Sequence, residues 1–234
     1  MADINEHAEA LADAGEHLEA LGRPPLEPLP PGYTEGREAL HRIAEDVLKP
    51  KRLLETGNEI ALRFTPGGFG TPRWEQGVES GLPGSARVEG TEIVIDAASN
   101  EVRTPTGIDP AVAAAVADWF ALGTVALAGL IEAGPGLDPE PIRLWPEHFD
   151  VATVLGDEAA GSRANFGASP GDEQHPEPYL YVGPWVEQPE SKIWNATGFH
   201  GAELRYAELL GAEDQLEAAT SFFVSHLEAL GPDG

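Results

Sequence analysis

An α+β fold, with antiparallel strands from two strand-rich halves packed against a central and a C-terminal helix, is what the sequence predicts. Three observations predict it. Stretches of period-two hydrophobicity fall into two groups, each followed by a helical pattern. The gaps between neighbouring strands are too short for the crossovers that parallel pairing needs. The helical pattern between the two groups is apolar nearly all round, as a buried central helix should be.

In order, Ile4, Leu11 and Leu18 recur every seven residues beside Ala8, Gly15 and Leu21, which predicts a helix with one narrow apolar stripe and an acidic back. Five prolines between Arg23 and Gly32 then form a stiff extended connector. Residues 1–35 are therefore read as an N-terminal arm, docked on its own chain or offered to a partner, and residues 36–234 as one globular domain. A second helix is expected over 35–48, with Leu40, Ile43, Ala44, Val47 and Leu48 inward, ending before Pro50.

From Asn58 the period becomes two, with Ile60, Leu62 and Phe64 on one face. The glycine-rich stretch 65–72 invites a phosphate-loop reading. It lacks the Gly-Lys-Ser/Thr ending, and no helix follows to aim amides at a phosphate, so a tight turn between strands is expected. Glu89-Gly90-Thr91 closes a hairpin, and Ser99-Asn100 turns into a further short strand at Val102. Asp109-Pro110 opens the central helix with an acidic cap and proline at its first position.

Three strands are expected next, over 142–155, 162–169 and 178–185, and then a helix over 202–230 broken at Gly211. Thr65-Pro66-Gly67 and Ser169-Pro170-Gly171 each end a strand, which suggests two pseudo-repeated halves, about 36–135 and 140–234.

Forty acidic residues against fourteen basic ones give a net charge of -26, which repels nucleic-acid phosphates and anionic membrane surfaces. Only Lys49, Lys51 and Lys192 are lysines, a balance that fits high-salt adaptation or a GC-rich genome. Without cysteine, any metal falls to His and carboxylates. The N-terminus has no basic flank or apolar core of a leader, and the longest apolar run, 111–131, is interrupted by Asp118, so a cytoplasmic protein is expected.

A site is expected between Arg143 and Trp185. Eight of the seventeen aromatics lie between Trp145 and Phe199, interleaved with His, Asp, Glu, Pro and Gly. If 142–155 is one strand, alternation puts His148 and Asp150 on one face, and Trp145, Phe149 and Val151 on the other. The hairpin sets Asp150 near residue 168 and His148 near the loop of Asp172 and His175. His148, Asp150 and His175 are the candidate catalytic groups, with Trp145, Asp172, Tyr179, Tyr181, Trp185 and Asn195 as candidate ligand contacts.

His148, Asp150, Asp172 and His175 also form a candidate divalent-metal set, although their spacing is no known signature. A rigid turn system held by Pro146, Pro170, Pro176, Pro178 and Pro184 explains the same residues without a ligand, and the three readings stay open. Asn195 and His200 make a second candidate in a loop before a helix, whereas His7, His17 and His226 are expected on helix surfaces. The functional expectation is a small-molecule-binding protein or enzyme with a His/carboxylate-lined aromatic pocket. The alternative is an interaction module using the N-terminal helix and Pro-rich arm.

Trp145-Pro146-Glu147-His148-Phe149-Asp150, Ser169-Pro170-Gly171-Asp172, Glu177-Pro178-Tyr179-Leu180-Tyr181-Val182 and the earlier 63–72 stretch resemble a group of uncharacterised actinobacterial proteins. That group carries a Trp-Pro-x-His-Phe-Asp segment, and the resemblance spans about 39–230. It implies no activity, catalytic role or cofactor.

Overall fold

The structure, a computed structural model, describes residues 2–58, 61–98, 100–134, 136–188 and 190–230, with side chains from residue 8. The side chains of Ile4 and His7, and residues Ile60 and Ser99, lie outside the described residues. In chain order the elements are α1 (Ala2–Leu21), α2 (Tyr33–Ile43), a π-helical turn (Ala44–Leu48), α3 (Lys49–Thr56), β1 (Arg63–Thr65), β2 (Gly68–Gly70), β3 (Gly84–Glu89), β4 (Glu92–Ala97), β5 (Asn100–Pro105) and α4 (Pro110–Ala133). They continue with β6 (Arg143–Trp145), β7 (Asp150–Leu155), β8 (Ala164–Ser169), β9 (Tyr179–Pro184), β10 (Ala202–Arg205), α5 (Tyr206–Leu210) and α6 (Gln215–Glu228).

The fold is α+β. Each group of five strands forms an antiparallel meander in sequence order, β1 to β5 and β6 to β10. The two sheets touch where Leu62, just before β1, and Leu144 of β6 exchange backbone hydrogen bonds of 2.8 and 2.9 Å. Helix α4 packs on β1, β2, β7 and β8 and on α1, α2 and α6, so the hinge between the sheets and the helices share one core around Trp119, Phe120, Leu122 and Leu127. Asp109 caps α4 by accepting from the Ala111 N–H. Helix α4 packs tightly on β8 at Gly123, where a Cβ would lie 2.6 Å from that of Ala168. By length and composition α4 could cross a membrane, yet 72% of its most apolar window is buried inside the protein.

Helix α1 lies on α4 and β1, with Ala10 and Ala14 buried. Buried Asp118 of α4 holds the arm through His17 Nε2 at 2.7 Å and Arg23 at 2.8 Å, and Arg63 of β1 reaches Asp13 at 3.3 Å. In the Pro-rich connector, Gln215 takes both backbone groups of Leu26 (2.7 and 3.1 Å), and the Tyr206 hydroxyl donates to the Glu27 carbonyl.

Several boundaries differ from expectation. Pro50 does not end the second helix. The preceding π-helical turn lets the backbone ladder skip the missing N–H, and α3 carries the chain through to Thr56. The 65–72 stretch is a turn, as expected, but its Gly68–Gly70 portion is itself a strand. Residues 202–205 are strand rather than helix, because pairing with β9 outweighs the helix propensity of Ala-Glu-Leu-Arg; the helix then breaks at Gly211. His17 and His226 are not free surface groups. His17 pairs with Asp118, and His226 is buried against Trp194 and Phe222, bonded to the carbonyls of Phe222 and Ile193. The two Ser/Thr-Pro-Gly turns end β1 and β8, the first strand of one sheet and the third of the other.

Candidate functional site

The largest correction concerns 142–155. These residues form two strands, β6 and β7, joined by a tight turn over Pro146, Glu147, His148 and Phe149. Four turn residues reset the alternation, so Trp145 pairs with Asp150 and shares its face, while His148 sits exposed in the turn. Phe149 is left-handed (φ 54°), a conformation that costs a non-glycine residue about 1–2 kcal/mol. Packing holds it there. Its ring is fully buried, edge-on to Phe69 (5.1 Å) and Phe120 (5.2 Å) and stacked on His41 (5.1 Å, 7°), while His41 Nε2 bonds the Pro146 carbonyl at 2.9 Å.

The second sheet turns Leu144, Val151, Phe166, Ala168, Leu180 and Val182 to the core. Its other face then carries Trp145, Asp150, Ala152, Asn165, Gly167, Ser169, Tyr179, Tyr181 and Glu203. A cleft of about 900 Å³ lies on this face, with α2 along one side. Asp150, Ser169, Asp172, Tyr179, Tyr181, Asn165 and Phe199 line it from the sheet and its loops; Glu147 and His148 come from the turn; Arg37, Glu38, His41 and Arg42 come from α2. Asp150 also borders a neighbouring hollow of about 240 Å³, shared with Trp145, His148, Asn165 and Tyr181.

Asp150 is 4% exposed. Tyr181 donates its hydroxyl to Oδ2, and Oδ1 is buried without a hydrogen-bond partner in the protein. Burial pushes the Asp150 carboxyl up, against the opposing pull of the Tyr181 hydroxyl and the charge of His148. Burial and the adjacent carboxylate hold the Tyr181 phenol well above its usual range. The geometry depends on Gly167, which pairs with both Tyr181 and Ala152; a Cβ there would lie 2.4 Å from Tyr181 Cζ, so only glycine lets the ring cross β8 to reach β7.

Asp172 is the opposite case. Burial would raise its carboxyl, but the Tyr179 hydroxyl (2.7 Å) and the backbone N–H groups of His175 (2.7 Å) and Gln174 (2.6 Å) outweigh it and hold the group below the usual carboxylate range. His175 stands behind, its Nδ1 3.3 Å from Asp172 and its Nε2 3.3 Å from buried Glu203, with its ring against Tyr179 at 4.4 Å. Arg37 is buried and donates to the Gly171 carbonyl at 3.0 Å, and the Tyr33 hydroxyl reaches the Pro170 carbonyl at 2.9 Å. These two contacts moor the 170–175 loop to α2.

Of the expected site residues, His148, Asp150, Asp172, Tyr179 and Tyr181 line the one cleft. Trp145 lines the hollow beside it. His175 acts from behind Asp172 and Tyr179 rather than from the wall. Trp185 is half exposed, bonded to Asn165 at 3.0 Å beneath the Arg163 guanidinium, and is no wall of the cleft. Asn195 does not face it either; its amide exchanges bonds with the Glu203 backbone (3.0 and 2.8 Å), and His200 borders a separate hollow of about 310 Å³. Among the described residues no group of three or more His, Asp or Glu is placed to hold a metal ion, so the set His148, Asp150, Asp172 and His175 is not assembled as ligands. Asp172 accepts from two backbone amides at Oδ1 and from the Tyr179 hydroxyl at Oδ2.

Arg37, His41 and Arg42 were not among the expected site residues. Arg37 lies three and seven residues before Leu40 and Ala44, a charge on an otherwise apolar helical stripe, and that placement was the available signal. Comparison with known proteins yields no matching family model, no matching curated protein and no matching solved structure.

Proposed function

We propose that this cleft binds a small polar molecule and performs acid–base chemistry on it. One observation carries the reading. Two carboxyl groups on one cleft are driven in opposite directions, Asp150 toward holding its proton and Asp172 toward the ionised form, each joined to a tyrosine hydroxyl from alternate positions of β9. Such a pair supplies a proton store and a fixed negative charge at the same pH.

Tyr181 is the more accessible of its pair and meets the ligand. Tyr181 gives its hydroxyl proton to a basic oxygen of the ligand while protonated Asp150 passes its own proton to the Tyr181 oxygen, and the reverse transfer resets the pair; Asp150 is thus a positioning and proton-storing residue behind Tyr181. Asp172 and Tyr179 orient the ligand's donors. Arg42, exposed on α2 at the cleft, is available to a ligand carboxylate or phosphate. The contacts of α1 and the Pro-rich connector within the chain weigh against the interaction-module alternative.

The test is a thermal-shift screen of the full chain with polyols, hydroxy acids and nucleosides, the hits being repeated by calorimetry on Asp150→Asn and Tyr181→Phe. Binding weakened at least about tenfold in folded variants supports the reading. Hits that bind both variants as tightly as the wild type place the ligand elsewhere.

A further inference from the structure

We propose that strand β5 is the seam of a symmetric homodimer, formed by antiparallel pairing of β5 with its copy about Val102. It is the last strand of its meander, and every residue from Asn100 to Pro105 is exposed. Thr106 donates its N–H to Thr91 on the β4 side, and antiparallel ladders alternate, so Asn100, Val102 and Thr104 direct their backbone groups to β4. The backbone groups of Glu101 and Arg103 therefore point away from the sheet. Pro105 shares that outward parity and has no N–H to offer, so the outward ladder ends there.

Charge selects the register. Pairing through Glu101 and Arg103 is possible with Glu101 opposite Glu101, with Arg103 opposite Arg103, or with Glu101 opposite Arg103 of the other copy. Only the last, centred on Val102, sets opposite charges across the seam, and it does so twice by symmetry. It also forms closed hydrogen-bonded pairs on both sides of the two-fold axis.

The other face of the sheet agrees. Cross-strand neighbours Ala86, Ile95 and Val102 form an apolar row running from fully buried through partly buried to 50% exposed. Dimerisation sets Val102 against its own copy at a non-hydrogen-bonded position, where side chains approach most closely, and continues that row. The occupant is a second copy of this chain because the strand is complementary to itself, residue by residue.

Sedimentation velocity on the full chain, from micromolar to sub-millimolar protein in about 0.15 M salt, reads the outcome; that salt screens the long-range repulsion of two acidic chains and leaves contact pairs intact. A concentration-dependent dimer is expected. Glu101→Arg or Arg103→Glu should weaken it about tenfold, and the double exchange Glu101→Arg/Arg103→Glu should restore it. Arg103→Pro, which removes an outward N–H and spares the β4 ladder, should weaken it as well. Circular dichroism confirms the fold of each variant. A monomer at all concentrations overturns the proposal, as does a dimer that the single reversals leave unchanged.

Discussion

Tyr181 donates its hydroxyl across Gly167 to the buried carboxyl of Asp150, linking β9 to β7 over the strand between them. The contact ties a polar group at the cleft to a carboxyl that burial inclines to keep its proton.

Tyr181→Phe leaves Asp150 Oδ2 without its donor. Loss of a partner from a buried polar group costs about 1–3 kcal/mol, and urea unfolding should show a loss of that size. Asp150→Asn keeps the shape, and its stability should stay within about 1 kcal/mol of the wild type near neutral pH. The two should also differ in pH dependence. A carboxyl raised in the folded state makes the folded chain bind more protons than the unfolded one between the two pKa values, so wild-type stability relative to Asp150→Asn should fall as pH rises through that window.

Gly167→Ala should be disproportionately harmful for one methyl group. The added carbon meets the Tyr181 ring and hydroxyl at 2.4 to 2.5 Å, and forcing the ring aside costs about 1–3 kcal/mol. Ligands found for the wild type should lose affinity for this variant, as they do for Tyr181→Phe; retained affinity would detach the tyrosine from binding.

Phe149→Ala removes the ring that pins the β6–β7 turn and should cost about 3–5 kcal/mol in chemical denaturation. Phe149→Gly relieves the left-handed backbone while losing the same packing, so it should be somewhat less destabilising than alanine.

Glu55 tests the electrostatics away from the cleft. It is buried, and although burial would raise its carboxyl, Lys51 (2.6 Å) and the Ser80 amide and hydroxyl (3.0 and 2.8 Å) bring it down to about 2. A depressed carboxylate contributes stability above its unfolded value and loses it as pH falls, here between about 4.3 and 2. Glu55→Gln should flatten that part of the acid-unfolding curve and cost about 1–3 kcal/mol at neutral pH.

Net charge supplies a global prediction. With 40 acidic and 14 basic residues, self-repulsion opposes folding at low salt, so thermal midpoints should climb with chloride concentration. A sulfate series separates screening from exclusion effects, and a flat or falling chloride series would remove the repulsion argument.

The parts of the fold legible in the sequence are those where local pattern and tertiary demand agree. Asp109-Pro110 and the apolar run that follows marked α4, and Tyr179-Leu180-Tyr181-Val182 marked a strand with two tyrosines on one face. The lining of the candidate cleft was legible as a region and as His148, Asp150, Asp172, Tyr179 and Tyr181. The turn over Pro146 to Phe149 was misread because the flanking Leu144, Trp145, Val151, Thr153 and Val154 suit one continuous strand, although a proline within a strand pattern argued against one. The cation-bearing wall on α2 was missed because that helix was read for its apolar face alone. β10 carries helix-forming residues, and only the neighbouring β9 edge makes it a strand.

Burial at this cleft makes Asp150 hold its proton above the ordinary carboxylate range. Carbon-13 NMR of the side-chain carboxyls across a pH series, with Asp150→Asn to assign the resonance, measures this directly. A midpoint above the ordinary value of about 3.9 is predicted, moving higher still in Tyr181→Phe because the hydroxyl that favours the ionised form is gone. A midpoint at or below that value would contradict the account and leave Asp150 an ordinary ionised carboxylate.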